Sequence, residues 1–172
     1  IRRQRQMCIR DSVHAQRVAV KTNTLGWLTA SPNVEAEFVL GRHISLNMGV
    51  AANPISTDNF KTTFTHFQPE VRYWLNRPMV SHFLGVTAFA NNFNMLVKDV
   101  HHKGDAYAAG LTYGYAWVLG DHWNIEATAG VGVLRYRQFK YDKGTPKPGA
   151  VNDSKTTIAP VKLGVSFVYI IR

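Results

Sequence analysis

From Arg17 to the end of the chain, apolar and polar side chains alternate nearly one for one, and no stretch carries an apolar stripe at helical spacing. Successive side chains of a strand point to opposite faces, so the pattern demands strands with one apolar and one polar face. Trp123, Ile125, Ala127, Ala129, Val131 and Val133 oppose Asn124, Glu126, Thr128, Gly130 and Gly132. Tyr107, Ala109, Leu111, Tyr113, Tyr115 and Trp117 oppose Ala108, Gly110, Thr112 and Gly114. Val34, Ala36, Phe38 and Leu40 oppose Glu35 and Glu37, and Ala159, Val161, Leu163, Val165, Phe167 and Tyr169 oppose Pro160, Lys162, Gly164 and Ser166. Eight strands are predicted, near residues 17–25, 33–41, 43–53, 64–76, 81–92, 104–120, 122–138 and 155–171.

The connections fall into two kinds. Gly41-Arg42-His43, Asn76-Arg77-Pro78-Met79 and Gly120-Asp121-His122 carry tight-turn chemistry. The intervening connections, 25–32, 54–63, 93–103 and 139–154, are longer and polar. Short turns at one end and long loops at the other are the asymmetry of outer-membrane barrels. The expected fold is therefore all-β: an eight-stranded antiparallel up-and-down transmembrane β-barrel with short periplasmic turns and long extracellular loops.

In such a barrel the apolar face meets lipid and the polar face fills the lumen. Lys21, Glu35, Glu37, Glu70, Arg72, Glu126 and Lys162 all have lumen parity. An Arg or Lys facing lipid at midplane costs about 2–4 kcal/mol, whereas four acids and three bases can pair inside. Eight strands enclose a space just wide enough for side chains, so this ion network is expected to plug the barrel. Phe38, Tyr73, Trp117, Trp123, Phe167 and Tyr169 lie on the apolar face near the short turns or the C-terminus, where a periplasmic aromatic girdle belongs.

A chain of 172 residues fits one domain. Its longest uncharged stretch near the middle, Ala106 to Gly120, is broken by glycines and falls short of the ~20 apolar residues of a membrane-spanning helix. The net charge of +9 raises nucleic acid as a partner, but five arginines against Asp11 place +4 of it before the first strand. No basic stripe interleaved with stacking aromatics follows, so nucleic-acid binding is not expected. Residues 1–16 read as a non-native or processed, disordered leader, and Val13-His14-Ala15 before Gln16 is a small-residue pattern of the kind signal peptidase reads. Cys8, the sole cysteine, lies in that leader and excludes an internal disulfide or a cysteine-based metal cage.

KTNTLGW at 21–27, FQPEVRYWL at 67–75, HFLGV at 82–86, the stretch GDAYAAGLTYGYAWVLGDHWNIEATAGVG at 104–132 and the closing VSFVYII are similar to an uncharacterised outer-membrane β-barrel family. That family, a domain of unknown function of Bacteroidales-type bacteria, is sometimes encoded near fimbrial genes. The resemblance covers about Val18 to Arg172 and is most specific at 104–132. It implies a barrel in the cell envelope of a Gram-negative bacterium, located in the outer membrane, and carries over no catalytic residues.

Candidate chemistry on the residues is sparse. His66 has lumen parity near the long-loop end, with Glu70 four residues on, but Ser56 and Ser154 lack the context of a nucleophile, so His66 reads as a lumen hydrogen-bonding residue. His101 and His102, with Asp99 and Asp105, show no metal-ligand spacing, and Gly130-Val131-Gly132 is followed by no helix that would make it a phosphate loop. Neither a catalytic residue nor a metal or cofactor is expected. Lys61, Lys98, Lys103, Lys140, Lys143, Lys147 and Lys155 form a basic outer rim suited to the phosphates of lipopolysaccharide. The resulting expectation is a non-enzymatic outer-membrane barrel, structural or adhesion/fimbria-associated through its loops, with outer-membrane lipid, the barrel-assembly machinery and a fimbrial or surface protein as partners. The alternatives are a soluble lipocalin-like carrier of an apolar ligand lined by Trp117 and Trp123, and a lipid-modifying outer-membrane enzyme.

Overall fold

The computed structural model describes the backbone of residues 17–28, 31–57, 60–97, 100–142 and 153–171. Residues 1–16, the expected leader, lie outside the described residues. The strands are β1 (Val18–Asn23), β2 (Asn33–Val39), β3 (Ile44–Thr57), β4 (Phe60–Trp74), β5 (Ser81–Val97), β6 (Val100–Val118), β7 (Trp123–Asp142) and β8 (Asp153–Ile171). One short helix, α1 (Thr24–Leu28), joins β1 to β2. Every strand pairs antiparallel with its sequence neighbour, and β8 returns to β1, closing an eight-stranded barrel. Closure leaves no sheet edge along the fully paired part of the wall.

Ladder partners followed once round from Ala19 run through Glu37, Asn47, Glu70, Thr87, Gly110 and Gly132 to Ala159. The direct β8 partner of Ala19 is Ile170, so one circuit shifts the register by 170 minus 159 residues, one of them belonging to a bulge. With strands ~4.8 Å apart and a rise of ~3.3 Å per residue, this stagger tilts the strands by roughly 40°.

The wall is inverted relative to a soluble barrel. Leu84, Val86, Leu111, Val131 and Leu163 are 54–65% exposed on the outer surface, whereas Lys21, Glu37, Glu70, Arg72 and Glu126 are buried within. At the short-turn end the interior is closed by aromatic and aliphatic packing: the Trp74 and Phe83 rings pack at a 46° tilt with centroids 4.7 Å apart beside Ala116. Met79, carried by the β4–β5 connection, is buried against Ala19 and Val168. It takes a φ of 66°, and Ser81 one of 68°, a left-handed backbone that side-chain-bearing residues rarely adopt. The connection folds inward and stoppers this end.

Two expectations change. Within the polar segments 54–63 and 93–103, residues 54–57, 60–63, 93–97 and 100–103 are strand rather than loop, since β3 and β4 pair through Thr57 and Phe60, and β5 and β6 through Val97 and Val100. Threonine, phenylalanine and valine favour the pleated state, and Pro54 is tolerated because β3 past Ala52 is an edge. The second change is in β8. A bulge opposite Gly130/Val131 turns both Val161 and Lys162 inward and reverses the faces beyond it. Ala159 therefore faces in, and Pro160 and Ile158 face out, with Ile158 77% exposed.

Candidate functional site

The middle of the barrel holds a buried ion network, contributed one or two residues at a time by five strands. Lys21 comes from β1, Glu35 and Glu37 from β2, Glu70 and Arg72 from β4, Glu126 from β7 and Lys162 from β8, while β3 supplies the hydrogen-bonding Ser45 and Asn47. Each sits inside because alternation on its strand leaves the apolar neighbours outside. Arg72 is the hub, reaching Glu37 at 3.1 Å, Glu70 at 2.8 Å and Glu126 at 2.9 Å. Its guanidinium also lies over the Phe83 ring, 4.4 Å from the centroid. Lys21 pairs with Glu37 and, at 2.6 Å, with Glu126. Lys162 joins Glu35 at 2.9 Å to Glu70 at 3.0 Å.

Neutral groups complete the shell. Ser45 donates to Glu37 and accepts a 2.8 Å hydrogen bond from the Trp74 indole. Asn47 donates to Glu35, Thr112 to Glu70 and Thr128, at 3.1 Å, to Glu126. Gly85 and Gly114 leave the space for this set: a Cβ at Gly85 would lie 2.8 Å from Glu70 Oε1, and one at Gly114 would run into the Phe83 ring. Close packing of paired charges fills the interior at this level, and such a layer fixes strand register, because a one-residue slip would send its charges outward.

All seven residues anticipated for the interior come together here. Ser45, Asn47, Trp74, Thr112 and Thr128 were not singled out from sequence. Their lumen parity was readable, but their role depends on which strands lie across the barrel. The six aromatic residues Phe38, Tyr73, Trp117, Trp123, Phe167 and Tyr169 all face outward around the short-turn end, Trp123 packing on Tyr169 at 5.0 Å. Trp117 and Trp123 are 48% and 52% exposed, which is the reverse of the tryptophan-lined interior of the soluble-carrier alternative.

Above the network the interior changes character. His66 accepts or donates a 3.4 Å hydrogen bond with Gln68 and lies 5.0 Å from the Phe89 ring. Of the two serines considered beside it, Ser154 is exposed at the rim on the opposite side of the wall, and the Ser56 side chain lies outside the described residues. The side chains of His101, His102, Lys61, Lys98, Lys103 and Lys140, together with Asp99, Lys143 and Lys147, also lie outside them, and Lys155 is exposed at the rim. Gly130 and Gly132 line the interior wall of β7, packed against β6.

A family model described as Protein of unknown function (DUF3575) matches residues 5–171. The chain belongs to this family. No curated protein matches it in sequence. The match runs over all eight strands of this DUF3575 chain, so the ion network, the outward aromatics and the Met79 stopper all lie within the family region.

Proposed function

We propose that this DUF3575 barrel is a non-enzymatic integral protein of the outer membrane of a Gram-negative bacterium. The observation that carries the reading is the inversion of polarity: a continuous apolar outer surface around an interior of buried ion pairs. In water that surface would be exposed and the network would have forgone hydration for nothing; in a bilayer both arrangements are favourable. The apolar band along β7 runs from Trp123 to Val133 before Arg135 and Arg137, about 25 Å of height and equal to the hydrocarbon band of such barrels. The end carrying the aromatic ring and short turns is taken as periplasmic.

The hairpins β3–β4, β5–β6 and β7–β8 continue beyond this band and are the surfaces for a structural or adhesion/fimbria-associated role. Lipid, lipopolysaccharide and a fimbrial or surface protein are the proposed partners, and the barrel-assembly machinery is the proposed route of insertion. After refolding into bilayers, Trp117 and Trp123 should be quenched by brominated acyl chains. A stable monomer in plain buffer, once all amphiphile is removed, would overturn the membrane assignment. Unaltered fimbrial display in cells lacking the protein would overturn the fimbrial role while leaving the membrane assignment standing.

A further inference from the structure

The barrel wall is not of even height. β1 and β2 stop at Asn23 and Asn33, whereas β6, β7 and β8 rise to Val100, Asp142 and Asp153. These tall strands carry the outer face past the apolar band to the height of lipid headgroups.

On β7 the change is abrupt. Val131 and Val133 are exposed on the outer face, and the next two outward positions are Arg135 and Arg137. Alternation sets the two arginines on the same face, about 7 Å apart along the strand. The ladder fixes their neighbours: Arg135 lies between Tyr107 of β6 and Thr156 of β8, and Arg137 between Asp105 and Ser154. Among the described residues, the side chains of Arg135, Arg137 and Asp105 enter no ion pair or hydrogen bond. Among the described residues, too, Arg135 and Arg137 are the only cations on the outer face beyond the apolar band, because Lys155 pairs with the inward Tyr136.

Two neighbouring guanidinium groups directly above an apolar wall suit an amphiphile with a phosphate at the membrane surface, since guanidinium binds phosphate through paired N–H donors. The groups beside them narrow the class. A carboxylate such as Asp105 repels a bare phosphodiester, yet it accepts hydrogen bonds from sugar hydroxyls, and the Ser154 and Thr156 hydroxyls donate or accept them. Tyr107, exposed at the same height, adds an aromatic face with a polar tip at the boundary. Below the arginines, Leu111, Val133 and Ile158 are all exposed on the outer face and offer an aliphatic bed for acyl chains.

We propose, resting on the membrane reading, that the outer face of β6–β8 seats one phosphorylated glycolipid of the lipopolysaccharide class. Arg135 and Arg137 hold its phosphate, Asp105, Ser154 and Thr156 bind its sugar hydroxyls, and its acyl chains lie along the apolar wall beneath.

The test measures lipid retained by the folded full-length chain in a nonionic detergent. Native mass spectrometry follows mixing with lipopolysaccharide of a single chemotype or, at equal phosphate, with phosphatidylglycerol. The parent should retain one lipopolysaccharide and bind it at least tenfold more tightly than phosphatidylglycerol. Arg135→Gln with Arg137→Gln should weaken lipopolysaccharide at least tenfold. Arg42→Gln with Arg77→Gln, which removes the same charge at the short-turn end, should weaken it less than twofold. Asp105→Asn should weaken lipopolysaccharide and strengthen phosphatidylglycerol. Equal binding of the two lipids by the parent, equal losses in the two double variants, or tighter lipopolysaccharide binding by Asp105→Asn would overturn the site. Displacement of the lipopolysaccharide by inorganic phosphate at equal concentration would also overturn it, in favour of a free-phosphate site. Quenching of Trp117 and Trp123 by brominated chains in vesicles, with no lipopolysaccharide retained, would overturn the glycolipid site and leave the membrane reading intact. Absence of both would overturn both.

Discussion

Replacing Arg72 with methionine tests the ion network at its hub. Arg72 contacts Glu37, Glu70 and Glu126 within 3.1 Å and is fully buried. The network holds three cations against four carboxylates, one net negative charge; without Arg72 two cations face four carboxylates, and the imbalance doubles. Lys21 still serves Glu37 and Glu126, and Lys162 still serves Glu70, so no carboxylate is stranded completely. Removing one partner of a buried pair costs about 3–5 kcal/mol, and the residual lysine contacts place this variant near the lower figure. That is roughly a hundredfold in the folding equilibrium. The assay is urea unfolding of the detergent-refolded chain, followed by tryptophan fluorescence. Adding Glu126→Gln returns the imbalance to one charge and should recover at least about 1 kcal/mol, a coupling measured as a double-mutant cycle. A single-variant loss below about 1 kcal/mol, or strict additivity in the cycle, would refute the account of the network.

Three further outcomes follow from other parts of the barrel. Leu111, 65% exposed near the middle of the apolar band, should cost about 2–4 kcal/mol on mutation to arginine in bilayers, but nearly nothing if that face meets water. Gly114→Val should destabilise by about 1–3 kcal/mol in the same unfolding assay, because its side chain would overlap the Phe83 ring and crowd the Ala127 carbonyl. Met79→Ala should cost about 2–4 kcal/mol by emptying the stopper against Ala19 and Val168, and proteolysis at the short-turn end should accelerate.

Most of the wall was legible because alternation is a local signal: each strand declares its two faces without knowledge of its neighbours. Lys21, Glu35, Glu37, Glu70, Arg72, Glu126 and Lys162 could be assigned inward on parity alone. Which carboxylate meets which cation could not, since Lys21 reaches Glu126 across 105 positions of sequence. The strand at 54–57, 60–63, 93–97 and 100–103 was not legible because polar residues there obscure the strand-favouring threonines and phenylalanines. The low wall at β1 and β2 was hidden for a related reason: β1 was expected to reach residue 25 and β3 to stop at residue 53, and wall height depends on comparing strands rather than reading each. The inward fold of Met79 left no trace in the turn residues Asn76-Arg77-Pro78, which fit an ordinary tight turn equally well.

The β8 bulge was also missed, although Pro160 marked the place, and it yields a sharp test of how alternation and register combine. Val161 is the extra residue: Pro160 and Leu163 face out, while Val161 and Lys162 both face in. Deleting Val161 leaves Pro160 out, Lys162 in and Leu163 out, an unbroken alternation that preserves both faces on either side. The expected cost is the burial of one valine and the hydrogen bond that Gln68 donates to its carbonyl at 3.0 Å, about 2–4 kcal/mol together. Deleting Val165, four residues away on a regular stretch, instead inverts one side of the strand: either Lys162 turns outward or Ser166 and Val168 do. A lipid-facing lysine or a register slip against both β7 and β1 then follows, and the chain should fail to reach the heat-modifiable folded form on gels. Deletion of Val161 should still give that form, with a lowered unfolding midpoint. Equal behaviour of the two deletions would mean that the bulge does not set the faces of β8.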